Sequence, residues 1–173
     1  MDRRLVAAAA GMAILGTAFP AWGQESKPVG LSVKAGLFWP SSSAGRNAGS
    51  TWFAGGAEFR VRDASVETKG IGPNSTITAS LDYYNKGGFS NMPVLLNVVT
   101  HTSEMYYTVG AGVGFNRTPD GSGGTDSKTR FAWQAGVGYD FMQGKSPLFV
   151  EGKYFGNASS DLNGFGVFVG IHI

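Results

Sequence analysis

The stretch between residues 104 and 141 constrains the fold of this chain more than any other. It contains MYYTVGAGVGF at 105–115 and FAWQAGVGYDF at 131–141, separated by a glycine-rich segment. In both segments every second residue is apolar, and the residues between them are mostly small or polar. Alternation with a period of two predicts β-strands with one apolar face. Strands of ~9–11 residues with aromatic residues at both ends of that face are typical of strands that cross a bilayer obliquely.

Six other segments follow the same alternation. An open sheet would leave backbone groups unsatisfied in hydrocarbon, so strands that span a bilayer must close into a barrel. The sequence therefore predicts an all-β fold, an eight-stranded antiparallel up-and-down transmembrane β-barrel. The predicted strands cover residues 29–39, 52–62, 75–85, 92–102, 105–115, 131–141, 147–157 and 162–173.

The N-terminus has the pattern of a targeting segment. Arg3 and Arg4 precede the apolar run LVAAAAGMAILGTAF, and small residues flank the tryptophan of the AWG motif that ends at residue 23. This order is typical of a secretory signal peptide, and about fifteen apolar residues are few for a membrane-spanning helix. We expect residues 1–23 to be a cleaved signal peptide. Residues 24–173 would then form the exported barrel domain.

Composition excludes several functional classes. The 14 basic and 12 acidic residues give a formal charge of +2, and loss of Asp2, Arg3 and Arg4 with the signal peptide leaves the remainder near neutral. Such a balance predicts no nucleic-acid partner. The chain has no cysteine, which excludes disulfides and thiolate metal sites. No run of ~18 apolar residues follows residue 23, so no helical span is expected.

The charged residues within the predicted strands share the polar parity. A charge that faces lipid at mid-depth costs ~2–4 kcal/mol, so this placement favours an inward orientation. The interior of an eight-stranded barrel is just wide enough to be filled by side chains. We therefore predict a packed interior polar network of Lys34, Glu58, Arg60, Asp82, Asp140, Glu151 and Lys153.

Aromatic residues on the opposite parity predict an interfacial girdle. Such residues concentrate at the two membrane–water boundaries of transmembrane barrels. The expected girdle consists of Trp39, Tyr83, Phe115, Phe131, Tyr139, Phe141 and Tyr154.

Catalytic and metal-binding motifs are not found in the sequence. His101 and His172 are the only histidines, and neither has the spacing of a metal ligand. Both fall near strand ends on the predicted periplasmic side, where polar filler is their expected role. No nucleophile motif with a placed base is recognisable. We expect a protein that is not an enzyme and that needs no metal or cofactor.

The predicted strands resemble the small outer-membrane β-barrel family of OmpX and OmpA-type transmembrane domains. In that family a P-L-N strand precedes a Y-x-G-x-G-x-G strand, and MPVLLNVVTH followed by YYTVGAGVGFN is similar to this order. FAWQAGVGYDF, LFVEGKYF and FGVFVGIHI extend the resemblance over the whole mature chain. It implies an outer-membrane β-barrel domain at 24–173 in a diderm bacterium, with eight strands in contact with the lipid bilayer, that is inserted by the barrel assembly machinery. We expect the barrel to be a monomer. Family members usually end on Phe or Tyr, whereas this chain ends on Ile173.

A second barrel family, the lipid A deacylases, has a catalytic strand to which KYFGNASSDLNG is similar. That enzyme needs a histidine and a serine on one strand. Phe155 and Gly156 occupy the comparable positions, so the resemblance implies no deacylase chemistry.

Three functional hypotheses follow from the sequence. The first is a non-enzymatic outer-membrane barrel with a structural or adhesion role, whose loops 40–50 and 116–128 bind an unknown extracellular partner. The second is a soluble, secreted, lipocalin-like barrel with its apolar parity facing inward around a ligand. The third is a narrow porin-like channel. A shared fold does not decide among these functions.

Overall fold

The eight predicted strands form a single closed barrel. The computed structural model describes residues 30–64, 75–141 and 147–173. Neighbouring strands pair antiparallel in chain order, and the last strand returns to pair with the first, with Val169 opposite Ala35. The predicted all-β fold, an eight-stranded antiparallel up-and-down barrel, is therefore confirmed. The strands are β1 Leu31–Pro40, β2 Trp52–Ala64, β3 Ser75–Lys86, β4 Phe89–Thr102, β5 Met105–Pro119, β6 Thr125–Phe141, β7 Leu148–Asn157 and β8 Gly164–His172.

Some sequence predictions lie outside the described residues. These are the signal peptide at 1–23 and the start of the first strand at residue 29, and residues 65–74 and 142–146 also lie outside the described part. Within the described part of the chain, no helix is long and apolar enough to cross a membrane.

The alternation places apolar side chains on the outside of the barrel. On β5, Tyr107, Val109 and Phe115 are exposed, whereas Tyr106 and Thr108 are buried inside. Side chains on a strand alternate between its two faces, so the sequence period becomes an apolar wall around a polar interior. All seven residues of the expected girdle lie on this wall. Trp39, Tyr83, Phe115, Phe131 and Tyr154 lie toward one end of the barrel, and Tyr139 and Phe141 toward the other.

The two ends of the barrel are different. We call the end that carries residue 30 and the C-terminus the terminal end, and the opposite end the loop end. The loop end carries a helix, α1 (Ser43–Ala48), a single 3-10 turn (Ser160–Leu162) and the tips of two hairpins. On the terminal end, Ser103 has a positive φ of 58° in the tight turn between β4 and β5.

The prediction of a long loop at 116–128 is wrong. β5 continues to Pro119 and β6 starts at Thr125, which leaves only residues 120–124 as the connection. Polar composition suggested a loop, but backbone pairing between two strands satisfies their hydrogen-bonding groups whatever the side chains are. The extension lies beyond the apolar wall, where polar side chains are suitable.

The predicted loop at 40–50 contains α1. The Ser42 hydroxyl caps its first turn by accepting a hydrogen bond from the Gly45 N–H at 2.9 Å. Trp52 fixes the far end, because its indole N–H donates to the Gly49 carbonyl at 2.7 Å. This segment is rich in serine and glycine, so the sequence does not distinguish the helix cap at Ser42 from an ordinary loop serine.

β4 begins earlier than predicted. It starts at Phe89, so the connection from β3 is a two-residue turn, Gly87-Gly88, with φ values of 55° and 87°. Two residues with positive φ match a type I′ hairpin, for which glycine pairs are favoured.

We predict that Gly110→Ala destabilises the barrel by ~1–3 kcal/mol, the usual cost of overpacking a filled interior. A Cβ at Gly110 would lie 1.9 Å from the Asn97 side-chain oxygen, inside the barrel. Gly55→Ala is the matched control, because its Cβ would meet only the Lys34 carbonyl oxygen, at 3.3 Å. Urea unfolding of both variants in detergent micelles measures the difference. Equal stability of the two variants would contradict this account of the interior.

Candidate functional site

Aromatic side chains fill the interior at the loop end. Phe38 stacks on Tyr84 with ring centroids 4.1 Å apart, and Trp52 packs at 5.4 Å from Phe38. The Tyr84 hydroxyl donates to the Leu162 carbonyl at 2.9 Å, which ties this aromatic plug to the 3-10 turn. The remaining members of the plug are Ala54, Phe155, Leu162 and Phe168, all buried.

A charged cluster lies below the plug. Lys34 on β1 is 3.0 Å from Asp82 on β3 and 3.7 Å from Glu151 on β7. Lys153 contacts Glu151 and lies 3.4 Å from Glu58 on β2. Four of these five side chains are almost fully buried, and Glu58 is 15% exposed. Two ammonium groups therefore face three carboxylates in a space with little water.

A neutral hydrogen-bonded layer accompanies the charges. The Asn97 amide donates to Ser80 at 3.0 Å and to Thr78 at 3.2 Å, and its oxygen accepts from Gln134 at 2.6 Å. Thr78 in turn donates to Glu58 at 2.6 Å. Buried polar groups are tolerated when they are paired in this way.

The seven predicted interior residues fall into two groups. Lys34, Glu58, Asp82, Glu151 and Lys153 form the charged cluster, but Arg60 and Asp140 do not join it. Arg60 is exposed at the terminal end, and Asp140 contacts His172 there. Parity predicts the face on which a side chain lies but not its depth, and Arg60 is one inward position beyond Glu58 toward that end.

A cavity of about 210 Å³ opens below the charged cluster at the terminal end. His172 lies at its wall, with Nδ1 2.7 Å from the Ser32 hydroxyl and Nε2 3.2 Å from an Asp140 carboxylate oxygen. Phe149 stacks on the imidazole at 4.6 Å between ring centroids. His101 lines the same cavity, next to Tyr106.

No local sequence motif signals this group. Ser32, Asp140 and His172 come from β1, β6 and β8, and only the pairing of the first strand with the last brings Ser32 opposite His172. The inward parity of all three at strand ends is the one signal that could have found them. Within the described residues, no group of three or more His, Cys, Asp or Glu side chains could hold a metal ion.

The hairpin of β5 and β6 extends beyond the rest of the loop end. β6 starts at Thr125 but pairs with β7 only from Ala132 onward. The Phe131 carbonyl accepts a hydrogen bond from Ala158 at 3.0 Å, which shows that the backbone of Phe131 points toward the β7 side. Thr125, Ser127 and Thr129 share that parity. Their N–H and C=O groups therefore lie on an edge that no described strand covers, which we call the open edge.

The tip of this hairpin is organised by one carboxylate. Asp120 accepts hydrogen bonds at 2.9 Å from the N–H and hydroxyl of Ser122 and from the Gly124 N–H. These donors, those of Ser122 first, hold the pKa of the exposed Asp120 below its ordinary value. The tip is therefore anchored at neutral pH, where the carboxylate is charged.

Two solved structures are similar to this chain, and the one with the higher TM-score supports the fold. The outer membrane protein Ail of Yersinia pestis, in a phospholipid bilayer nanodisc, is similar with a TM-score of 0.53 and 14% identity over 82% of this chain and 97% of that chain. The N-terminal β-barrel domain of Pseudomonas aeruginosa OprF has a TM-score of 0.46 and 12% identity over 82% and 93%. No family model and no curated protein matches the sequence.

We predict that Lys153→Met destabilises the barrel by ~3–5 kcal/mol, because it removes one of the two ammonium groups that face the three carboxylates of the charged cluster. Lys128→Met is the control. Lys128 pairs with Asp126 at 2.5 Å, but both side chains are about half exposed, so its loss should cost less than ~1 kcal/mol. Urea unfolding in micelles measures both. A Lys153→Met protein as stable as the control would show that the cluster contributes little.

Proposed function

We propose that this chain is an integral outer-membrane protein of the OmpX and OmpA type, a monomeric barrel inserted by the barrel assembly machinery after removal of residues 1–23. The observation that carries the proposal is the apolar outer wall, on which Leu96, Val109 and Phe131 are 63%, 58% and 60% exposed. Contiguous apolar surface on this scale is costly in water and is suited to lipid. Residues 24–173 are then the mature domain.

The two alternative hypotheses fit the described residues less well. A lipocalin-like barrel needs an apolar interior around its ligand, and here the middle of the interior holds two lysines and three carboxylates. A pore needs a continuous passage, but the aromatic plug of Phe38, Trp52 and Tyr84 fills the loop end. Both observations favour a membrane barrel with a filled interior.

We expect the mature protein to fractionate with outer membranes and to run at a different electrophoretic mobility before and after boiling in detergent. A closed barrel resists unfolding by detergent at room temperature, and heating releases it. The control is the same sample after urea denaturation, which should run only at the unfolded position. Recovery as a soluble periplasmic protein with no shift on heating would refute the proposal.

The open edge gives the barrel a role beyond spanning the membrane. Exposed strand edges pair with extended peptides, because unpaired N–H and C=O groups provide a ready set of hydrogen bonds. We place the terminal end on the periplasmic side, as the sequence predicts, so the hairpin projects from the cell surface. We infer that it binds an extended segment of an extracellular protein as an added strand alongside Thr125, Ser127 and Thr129 of β6. This display role needs no catalytic group.

The charges of the hairpin favour an acidic partner. The projecting hairpin carries more basic than acidic exposed residues. The basic residues are Arg117, Lys128 and Arg130, and the acidic residues are Asp120 and Asp126. Complementary charge raises the rate of encounter and helps to fix the partner's register, while the backbone supplies the affinity. An acidic extended segment is therefore the chemistry that this surface fits best.

We predict that the double variant Ser127→Pro/Thr129→Pro abolishes binding of peptides selected against the wild-type protein in nanodiscs. Proline removes the outward N–H groups, but pairing with β5 persists because Lys128 and Arg130 make those hydrogen bonds. Ser127→Ala/Thr129→Ala keeps both N–H groups and should retain binding. Peptides that bind the proline variant equally well, or a selection that yields none, would contradict edge pairing.

A further inference from the structure

Three polar side chains at the terminal end form a continuous hydrogen-bonded chain. The Ser32 hydroxyl, the His172 imidazole and the Asp140 carboxylate are joined by contacts of 2.7 and 3.2 Å. All three line the cavity of about 210 Å³, and the imidazole stacks on the Phe149 ring. A hydroxyl, an imidazole and a carboxylate in this order are the parts of a nucleophilic triad, which is recognised by geometry and roles rather than by sequence position.

The position of the ring proton follows from the partners. A carboxylate only accepts hydrogen bonds, so the Nε2 atom of His172 that faces Asp140 carries the proton. In the neutral ring Nδ1 then has a lone pair, and it accepts the proton of the Ser32 hydroxyl. The two ring nitrogens exchange the roles they have in serine proteases, but the imidazole is conjugated and either nitrogen can act as the base.

The neighbouring carboxylate does not compete for this role. Glu58 is opposite Ser32 on the β1–β2 ladder, but its oxygens are engaged by the Thr78 hydroxyl at 2.6 Å and by Lys153 at 3.4 Å. His172 is therefore the base that contacts Ser32. Asp140 contacts the opposite nitrogen of the ring from Ser32, and it acts by orienting the ring and stabilising its charged form.

We propose that Ser32 is a nucleophile that hydrolyses small carboxylic esters entering from the terminal end. Ser32 Oγ forms a bond to the ester carbonyl carbon while its proton passes to His172 Nδ1. The carbonyl–alkoxy bond then breaks, and the alcohol leaves with that proton. Water attacks the acyl-serine, giving its proton to the same nitrogen. The acyl–Oγ bond breaks, the carboxylic acid departs, and Ser32 regains its proton.

The cavity is suited to a short acyl group. Its volume of about 210 Å³ is below the ~300–1,000 Å³ of pockets for drug-sized ligands, and Val99 and Phe149 give it apolar walls. Arg60 lines the same space, where its backbone N–H donates a hydrogen bond to the Gly30 carbonyl at 2.7 Å. Such a site was not expected from the sequence, which predicts a protein that is not an enzyme.

A fluorophosphonate probe tests the nucleophile directly. The full chain, folded in micelles, is treated with the probe, and the modified residue is identified by peptide mass. We expect modification of Ser32 and its loss in Ser32→Ala, whereas Ser122→Ala at the hairpin tip should react like the wild type. Folding of each variant is checked by its heat-dependent mobility. A folded wild-type protein that is not modified at Ser32 overturns the proposal.

Hydrolysis of p-nitrophenyl acetate tests the base and its positioning residue. General-base catalysis contributes about 10²–10⁴-fold, so His172→Ala should lower kcat by ~100-fold or more, and added imidazole should restore part of it through the open cavity. Asp140→Asn should lower kcat, and Asp140→Glu should recover part of the loss. Unchanged hydrolysis in folded Ser32→Ala or His172→Ala overturns the triad. Because the open edge is at the opposite end, failure here leaves peptide binding unaffected.

Discussion

The pairing of the first strand with the last is the constraint on which the rest of this structure depends. In hydrocarbon, each unpaired backbone N–H or C=O costs several kcal/mol, and only closure removes both sheet edges. β1 meets β8 along Ser32 to Pro40, and the Ile173 N–H donates to the Leu31 carbonyl at 2.7 Å. Closure also defines an inside, so the polar parity of every strand converges on one narrow space.

That narrow space explains how charged residues and glycines coexist. Lys34, Lys153 and their carboxylate partners are large, and the strands that face them carry glycine at inward positions. Gly56 lies against Asp82, Gly136 against Lys153 and Gly138 against Tyr106. A side chain on one strand therefore occupies the space that a glycine leaves on its neighbour. The filled interior is the result of this complementarity between strands. It separates the open edge at the loop end from the cavity at the terminal end.

The sequence predicts correctly whether a strand side chain lies inside or outside the barrel, but not how far along the barrel it lies. A period of two follows directly from strand geometry, so the inward parity of Lys34 and Glu151 could be read without knowing their partners. Which charges meet depends on register, and register placed Arg60 and Asp140 at the terminal end. The sequence does not predict that β5 continues to Pro119 and that β6 begins at Thr125, because backbone pairing outweighs polar composition there. Ser32 and His172 are 140 positions apart, and only closure relates them.

Closure also determines the order in which the interior is completed. The charged cluster draws on β1, β2, β3 and β7, so Lys34 cannot meet Glu151 until nearly the whole chain has been made. Contacts between such distant positions form slowly, because the entropy of closing a long loop is lost before the contacts stabilise the chain. Before closure each of these charges can remain hydrated. For the outer-membrane barrel that we propose, the unfolded chain is thus polar enough to travel through water, and its affinity for lipid develops only as those charges turn inward together.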